Sequence, residues 1–298
     1  MSDYNYGEDI PYDVIPESQD KGEKRKVWDT AIGLQAVDDL TPSEYLLGLA
    51  EKNISGSLSY SEVDAKLGEY YSQADRTEIE AHREADIVSS KIAQLLESGK
   101  TAAFDLNKKT LAQIHYALFK GVFSDELIVG RFRRVNISKS EPVLNGASVK
   151  YGDFNTIPIA LDMTLADEAV NYYPKHEGLL PGKVTDDGIR HLSSFTSDVW
   201  QIHPFREGNT RTTAVFIQLY LQSLGFAINN EPFKHNSKFF RNALVRSCYS
   251  DVQLGIAREP AFLMAFFENL LCGKNNILNN DLLDLSKGTS AGITNNDS

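Results

Sequence analysis

His203-Pro204-Phe205-Arg206-Glu207-Gly208-Asn209-Thr210-Arg211 stands between two runs of helical periodicity. Ahead of it, Ile189, Leu192, Phe195, Val199 and Ile202 recur at the spacing of one helix face, and behind it residues 212–224 repeat that pattern and stop at Gly225. Pro204 cannot simply continue the preceding helix, so His203 is left at the lip of a helix end, where its ring can face a cleft. Phe205 is the apolar member and anchors the loop in the core. Gly208 lets backbone approach a ligand closely, and a helix starting near Asn209 points its free N–H groups to the same place, which makes an anion site.

The remaining polar members complete a chemical constellation. Glu207 beside a phosphate-binding helix end suits Mg²⁺, which takes oxygen ligands from one carboxylate and from phosphates. Arg211, on the first turn, can reach outer phosphates. His203 has an ordinary pKa near neutrality and can accept a proton from an incoming hydroxyl. Taken singly each residue reads as structural; a base, a metal carboxylate, a phosphate cradle and a guanidinium within one short loop do not. A zinc site fails on spacing, since His203 and Glu207 are not an HExxH pair and His191 lies too far along its own helix. No GxxxxGK[ST] phosphate loop occurs.

Outward from this loop the chain reads as mostly α. Helical patterns run through Ile79, Val88, Ile92, Leu95 and Leu96, then through Leu111, Ile114, Leu118 and Phe119 with His115 as a core residue, then over 157–173, and again after Glu259-Pro260 up to Gly273. Residues 214–228 form the most apolar stretch, too short to cross a bilayer and read as a buried helix. Residues 131–152 differ. Val143 and Leu144, then Asn145-Gly146, then 148–151 read as one β-hairpin, because both turn residues must tolerate positive φ. Thr41-Pro42-Ser43-Glu44 has the form of a capping box, with Thr41 as N-cap, and opens a small helical unit over 27–71. Residues 1–26 read as a flexible leader, 72–286 as the main domain and 287–298 as a disordered tail.

Composition restricts the partners. The 298 residues carry a formal net charge of -11, with 42% hydrophobic residues. An acidic chain lacks the basic face that phosphate neutralisation needs, so nucleic acid is not the expected partner. No secretory signal is visible and no membrane span is expected, which points to the cytoplasm. Cys248 and Cys272 show no metal-ligand spacing and read as reduced thiols.

The segment from His203 to Arg211 closely resembles the signature loop of the Fic family, written there His-Pro-Phe-x-Asp/Glu-Gly-Asn-Gly/Lys-Arg-x-x-Arg. The likeness extends more weakly over about 72–275, where Gly130-Arg131-Phe132-Arg133 and the hairpin resemble the lead-in to the family's target-docking flap, here Val143, Leu144, Asn145 and Gly146. The resemblance implies an all-α core with such a flap and a Mg²⁺-dependent protein adenylyltransferase, which moves AMP from ATP to a Ser, Thr or Tyr hydroxyl of a target protein, itself included. It makes His203 the general base and Glu207 the metal residue. Phe205, Gly208, Asn209, Thr210 and Arg211 become the nucleotide-binding stretch, with Gly208 and Asn209 at the α- and β-phosphates and Arg211 at the β/γ end. A homo-oligomer is left open.

Two positions depart from the pattern: Thr210 stands where Gly or Lys is common, and Ala214 stands where a second Arg belongs. The Glu-Gly-Asn core resembles the AMP-transferring members more than the phosphorylating branch. Many family members resemble a toxin fused to an inhibitory helix with Ser/Thr-x-x-x-Glu. Here residues 28–38 are the candidate counterpart, with Thr30, Ala31, Gln35 and Ala36 at the working positions and no Glu in place; the other reading is a helix that only packs on the core, and on the first the chain is expected to be active as it stands and Ala36→Glu to inhibit it. Two other readings stand beside adenylyl transfer: transfer of UMP or phosphocholine, and a non-catalytic helical adaptor with a vestigial nucleotide loop.

Overall fold

The computed structural model describes residues 20–72, 77–100, 103–172 and 178–287. The tail over 288–298 and most of the expected leader, 1–19, lie outside the described residues. The rest of that leader is not irregular: α1 spans Lys21–Gly33, capped by the Asp20 carboxylate, which accepts from the Gly22 and Glu23 amides. A 3₁₀ turn, Leu34–Asp38, follows directly.

Nine further helices complete the described chain: α2 Glu44–Ile54, α3 Tyr60–Ser72, α4 Thr77–Ser98, α5 Lys108–Phe119, α6 Ile157–Asp167, α7 Asp186–Ile202, α8 Asn209–Ser223, α9 Glu231–Cys248 and α10 Ala261–Cys272. The mostly helical expectation holds. The start of α2 does not fall where the capping-box pattern puts it. Ser43 is the N-cap, its hydroxyl accepting from the Leu46 amide at 3.1 Å, and Thr41 and Pro42 precede the helix. The reason is tertiary: the Ser43 amide and hydroxyl both donate to Asp86 on α4, at 2.7 and 2.5 Å, and this fixes the turn two residues later.

The β-structure is also displaced. The described sheet has two strands, β1 Leu179–Leu180 and β2 Lys183–Val184, paired antiparallel. At the expected hairpin, Asn145 and Gly146 do take positive φ, 53° and 87°, and Ala147 donates to the Leu144 carbonyl at 3.2 Å, so the turn chemistry is as read. The flanks share a cross-turn bond, from the Glu141 amide to the Ala147 carbonyl at 2.9 Å, and form no strands. Pro142–Leu144 is a 3₁₀ turn whose Val143 and Leu144 side chains are buried, so the chain there is tied into the core instead of lying along a strand partner.

Helix α8 organises the core. Every residue from Asn209 to Leu221 is buried, the polar first turn with Asn209, Thr210 and Arg211 included. Its end is a Schellman turn: Phe226 donates to the Leu221 carbonyl at 3.1 Å and Gly225 to Gln222 at 2.9 Å, with Gly225 at φ 85°. Helix α1 packs on α4 and α9, and α5 packs on α8. Trp28 on α1 is fully buried and donates from Nε1 to Asn53 Oδ1 at 2.9 Å, so α1 to α3 share one hydrophobic core with the rest. Among the described residues no helix is long and apolar enough to cross a membrane.

Candidate functional site

Helix α7 ends at Ile202, and His203 caps it in the left-handed region, φ 51° and ψ 60°. A non-glycine residue there carries strain that the surroundings must over-determine. Arg133 does so. Its amide donates to the Pro204 carbonyl at 2.8 Å, and its guanidinium reaches the carbonyls of His203 (2.7 Å), Ile202 (3.4 Å), Val135 (2.7 Å) and Gly152. One side chain, 3% exposed, thus satisfies the orphaned carbonyls at the end of α7.

The His203 imidazole is held on three sides. Nδ1 lies 3.3 Å from the Trp200 carbonyl, which can only accept, so Nδ1 carries the proton and Nε2 keeps its lone pair. The Tyr151 ring stacks at 3.9 Å and the Trp200 ring meets it edge-on at 5.3 Å. Burial pushes the imidazole down to about 3, helped by the nearby charges of Arg133, Lys139 and Arg241, so it is neutral at physiological pH.

After His203 the loop turns on its own side chains. Asn209 accepts from the Phe205 amide at 2.9 Å and donates to the Phe205 carbonyl at 2.8 Å, closing the loop on itself. Thr210 accepts from Trp200 Nε1 at 3.0 Å. Phe205 is 1% exposed and stacks on His115 at 3.8 Å. Of the expected nucleotide-binding residues, then, Phe205, Asn209 and Thr210 commit their side chains to holding the loop's shape. What they leave for an anion is backbone. Gly208, at φ 70°, gives α8 no side-chain cap, and the first amides of the helix are left without one. A Cβ at Gly208 would come within 2.4 Å of the Phe119 ring, so only glycine fits.

These groups face one cavity of about 330 Å³, lined by His203, Glu207, Gly208, Asn209, Thr210, Trp200, Asp38, Arg206 and Arg241 and by Ile137, Ser138 and Lys139. The Glu207 side chain is exposed and has no hydrogen-bond or ion-pair partner among the described residues, so its carboxylate is free of them to ligate. No group of three His, Cys, Asp or Glu residues able to hold a metal occurs among the described residues. The donor set therefore suits a hard cation that takes one carboxylate and draws its other oxygens from a bound phosphate.

The expected flap lies outside this cavity. Val143, Leu144, Asn145 and Gly146 do not line the cavity; Ile137, Ser138 and Lys139 do, as irregular chain. Nothing in their pattern marked them, because the hairpin signal drew attention to the turn.

Arg211 is 2% exposed and is engaged from the N-terminal region. Its Nε lies 3.0 Å from Asp38 Oδ2, Nη2 donates to Glu84 Oε1 at 2.5 Å, and Nη1 donates to Gln35 Oε1 at 3.2 Å, while the guanidinium lies over the Phe119 ring at 4.9 Å. Of the four residues expected to work in the inhibitory segment, only Gln35 touches the site. Thr30 and Ala31 are buried in the α1 interface, and Ala36 is exposed. The carboxylates on Arg211 come from Asp38 and Glu84, neither of which the sequence reading singled out.

His115 is the other residue whose part sequence reading missed. It accepts from the Gly130 amide through Nδ1 at 2.9 Å and lies 3.1 Å from the Glu207 carbonyl through Nε2, joining α5, the 130–133 segment and the loop.

A buried histidine and a helix N-terminus without a side-chain cap thus share one small cavity in a helical fold. Residues 105–221 match the Fic/DOC family. Two similar solved structures are a Fic family protein from Desulfovibrio desulfuricans, 13% identical with 97% of this chain and 79% of that one covered at a TM-score of 0.50, and a Fic domain containing signaling protein from Bacteroides thetaiotaomicron, 16% identical with 92% and 87% covered at 0.46. No curated protein matches the chain.

Proposed function

We propose that this protein transfers AMP from ATP to a hydroxyl side chain of a protein. The observation that carries the reading is the position of His203 Nδ1, 3.3 Å from the Trp200 carbonyl, which assigns the proton to Nδ1 and leaves Nε2 as an acceptor in the cavity shared with the start of α8. His203 takes the proton of the target hydroxyl, the hydroxyl oxygen bonds to the α-phosphorus of ATP, the bond from that phosphorus to the bridging oxygen breaks, and pyrophosphate leaves. The amides opening α8 stabilise the charge that grows on the phosphoryl oxygens, the kind of preorganised donor that supplies much of such catalysis. Magnesium held by Glu207 together with phosphate oxygens would offset the negative charge of ATP and of the departing pyrophosphate. Ile137, Ser138 and Lys139, at the rim, are the segment along which a target would lie.

The same site supports a restrained resting state. Arg211, which would otherwise serve a phosphate, is occupied by Asp38, Glu84 and Gln35. The brake is carried by Asp38, at the end of the 3₁₀ turn, and not by a residue at position 36.

The test is transfer of label from ATP. Label on the α-phosphate should appear on protein, including the enzyme itself; label on the γ-phosphate should not, and His203→Ala should abolish transfer while ATP still binds. Label arriving only from the γ-position, or equal transfer by His203→Ala, would overturn the proposal. Glu207→Gln should remove the stimulation by Mg²⁺ along with activity.

A further inference from the structure

Ala214 stands at the position where the resembling loop pattern has its second Arg, and it is fully buried and does not line the cavity. The cavity is nevertheless not short of positive charge. Arg241, on α9, is 8% exposed, yet it lines the cavity together with Lys139. Its Nη2 is fixed by the Glu141 carboxylate, at 3.1 Å from Oε1 and 2.9 Å from Oε2, and Glu141 is itself fully buried and accepts from the Tyr151 hydroxyl at 3.3 Å. Arg241 Nε and Nη1 have no partner among the described residues. Lys139 is exposed, and its ammonium likewise has none.

Desolvating a guanidinium is costly unless it is paired, and one carboxylate that occupies a single nitrogen leaves the rest of the fork to be satisfied from the cavity. The Glu141 pair also locks the fork in one orientation, so little side-chain freedom is lost when an anion arrives. Arg211 cannot take this part in the same state, since both of its nearby carboxylates hold it. Resting on the proposed nucleotide chemistry, we infer that Arg241, with Lys139, binds the outer phosphates of the donor in place of the arginine that Ala214 has displaced. The two residues come from α9 and from the 137–139 segment, outside the loop, so the phosphate-binding set of this site is assembled across the fold.

The experiment is titration of the full chain with ATP and with AMP, without turnover, in the His203→Ala background. Arg241→Lys and Lys139→Ala should each weaken ATP about tenfold, near 1.4 kcal/mol, and change AMP binding by less than about twofold. Because Arg241→Ala would strand the buried Glu141, the neutral pair Glu141→Gln with Arg241→Met serves as the full deletion, its folding checked by the thermal midpoint. It should lose the preference for ATP over AMP while staying folded. Variants that bind ATP as the parent does, or lose ATP and AMP equally, overturn the assignment of Arg241 and Lys139 and leave the AMP-transfer reading standing. A parent that binds no nucleotide overturns both.

Discussion

His115 donates from Nε2 to the Glu207 carbonyl at 3.1 Å, tying α5 to the loop that bears the candidate base. The direction follows from the other ring nitrogen, which accepts the Gly130 amide at 2.9 Å and so cannot carry the proton of a neutral imidazole. With Phe205 stacked on its face at 3.8 Å, this histidine sets both the backbone and the aromatic anchor of the loop. His115→Leu removes both hydrogen bonds and leaves a buried amide and carbonyl unpaired. Unfolding in urea should show a loss of about 2–5 kcal/mol, with nucleotide affinity falling as well, because the carbonyl that turns Glu207 loses its tether. A loss under about 1 kcal/mol would mean that the loop holds itself.

The two buried histidines also predict the acid response. Burial lowers both His115 and His203 to about 3. A histidine lowered in the folded state binds its proton only after unfolding between about 3 and its ordinary 6.5, so the unfolded chain takes up protons there. Stability should therefore hold above pH 6.5 and fall as the pH drops, by up to about 1.4 kcal/mol per pH unit for each ring. Urea midpoints at pH 7, 6 and 5 would show it, and His115→Gln should carry about half the slope. An unchanged slope in that variant would remove His115 from the explanation.

Asp38 predicts an effect on activity. Its carboxylate lies 3.0 Å from Arg211 Nε and faces the cavity. Asp38→Asn keeps the volume and removes the charge, so ATP affinity should rise about three- to tenfold, roughly 1 kcal/mol, with a matching gain in transfer at low ATP. Ala36→Glu should do little, since its side chain points to solvent. If the reverse pattern were measured, the restraint would lie in the segment's charge at large and not in the Asp38–Arg211 pair.

Gly208→Ala should be far more harmful than an ordinary loop substitution. The residue sits at φ 70° and a methyl group would enter the Phe119 ring. The conformational penalty alone is about 1 kcal/mol, and the clash adds to it. The folding midpoint should fall and nucleotide binding should drop together, because Phe119 also lies beneath Arg211.

How much of this was legible in the chain differs from element to element. The periodicities of α7 and α8 are local, and the loop between them is a contiguous run, so the helices, the positions of His203 and Glu207 and the start of α8 could all be read from residue order. Asn145-Gly146 was read correctly as a turn with positive φ, since that is a property of two residues. Whether the turn carries strands depends on what its flanks meet, and Val143 and Leu144 meet the core.

Residue order alone settled the mostly helical class and the loop between α7 and α8, because periodicity and proline and glycine constraints act over a few neighbouring residues. Only the tertiary structure decided which groups serve that loop. Arg133 reaches the His203 carbonyl over 70 positions, His115 reaches Glu207 over 92, and Gln35 reaches Arg211 over 176. No spacing rule spans such separations; a buried hydrogen bond is specified by where two helices come to rest, and that is fixed by the packing of the whole core.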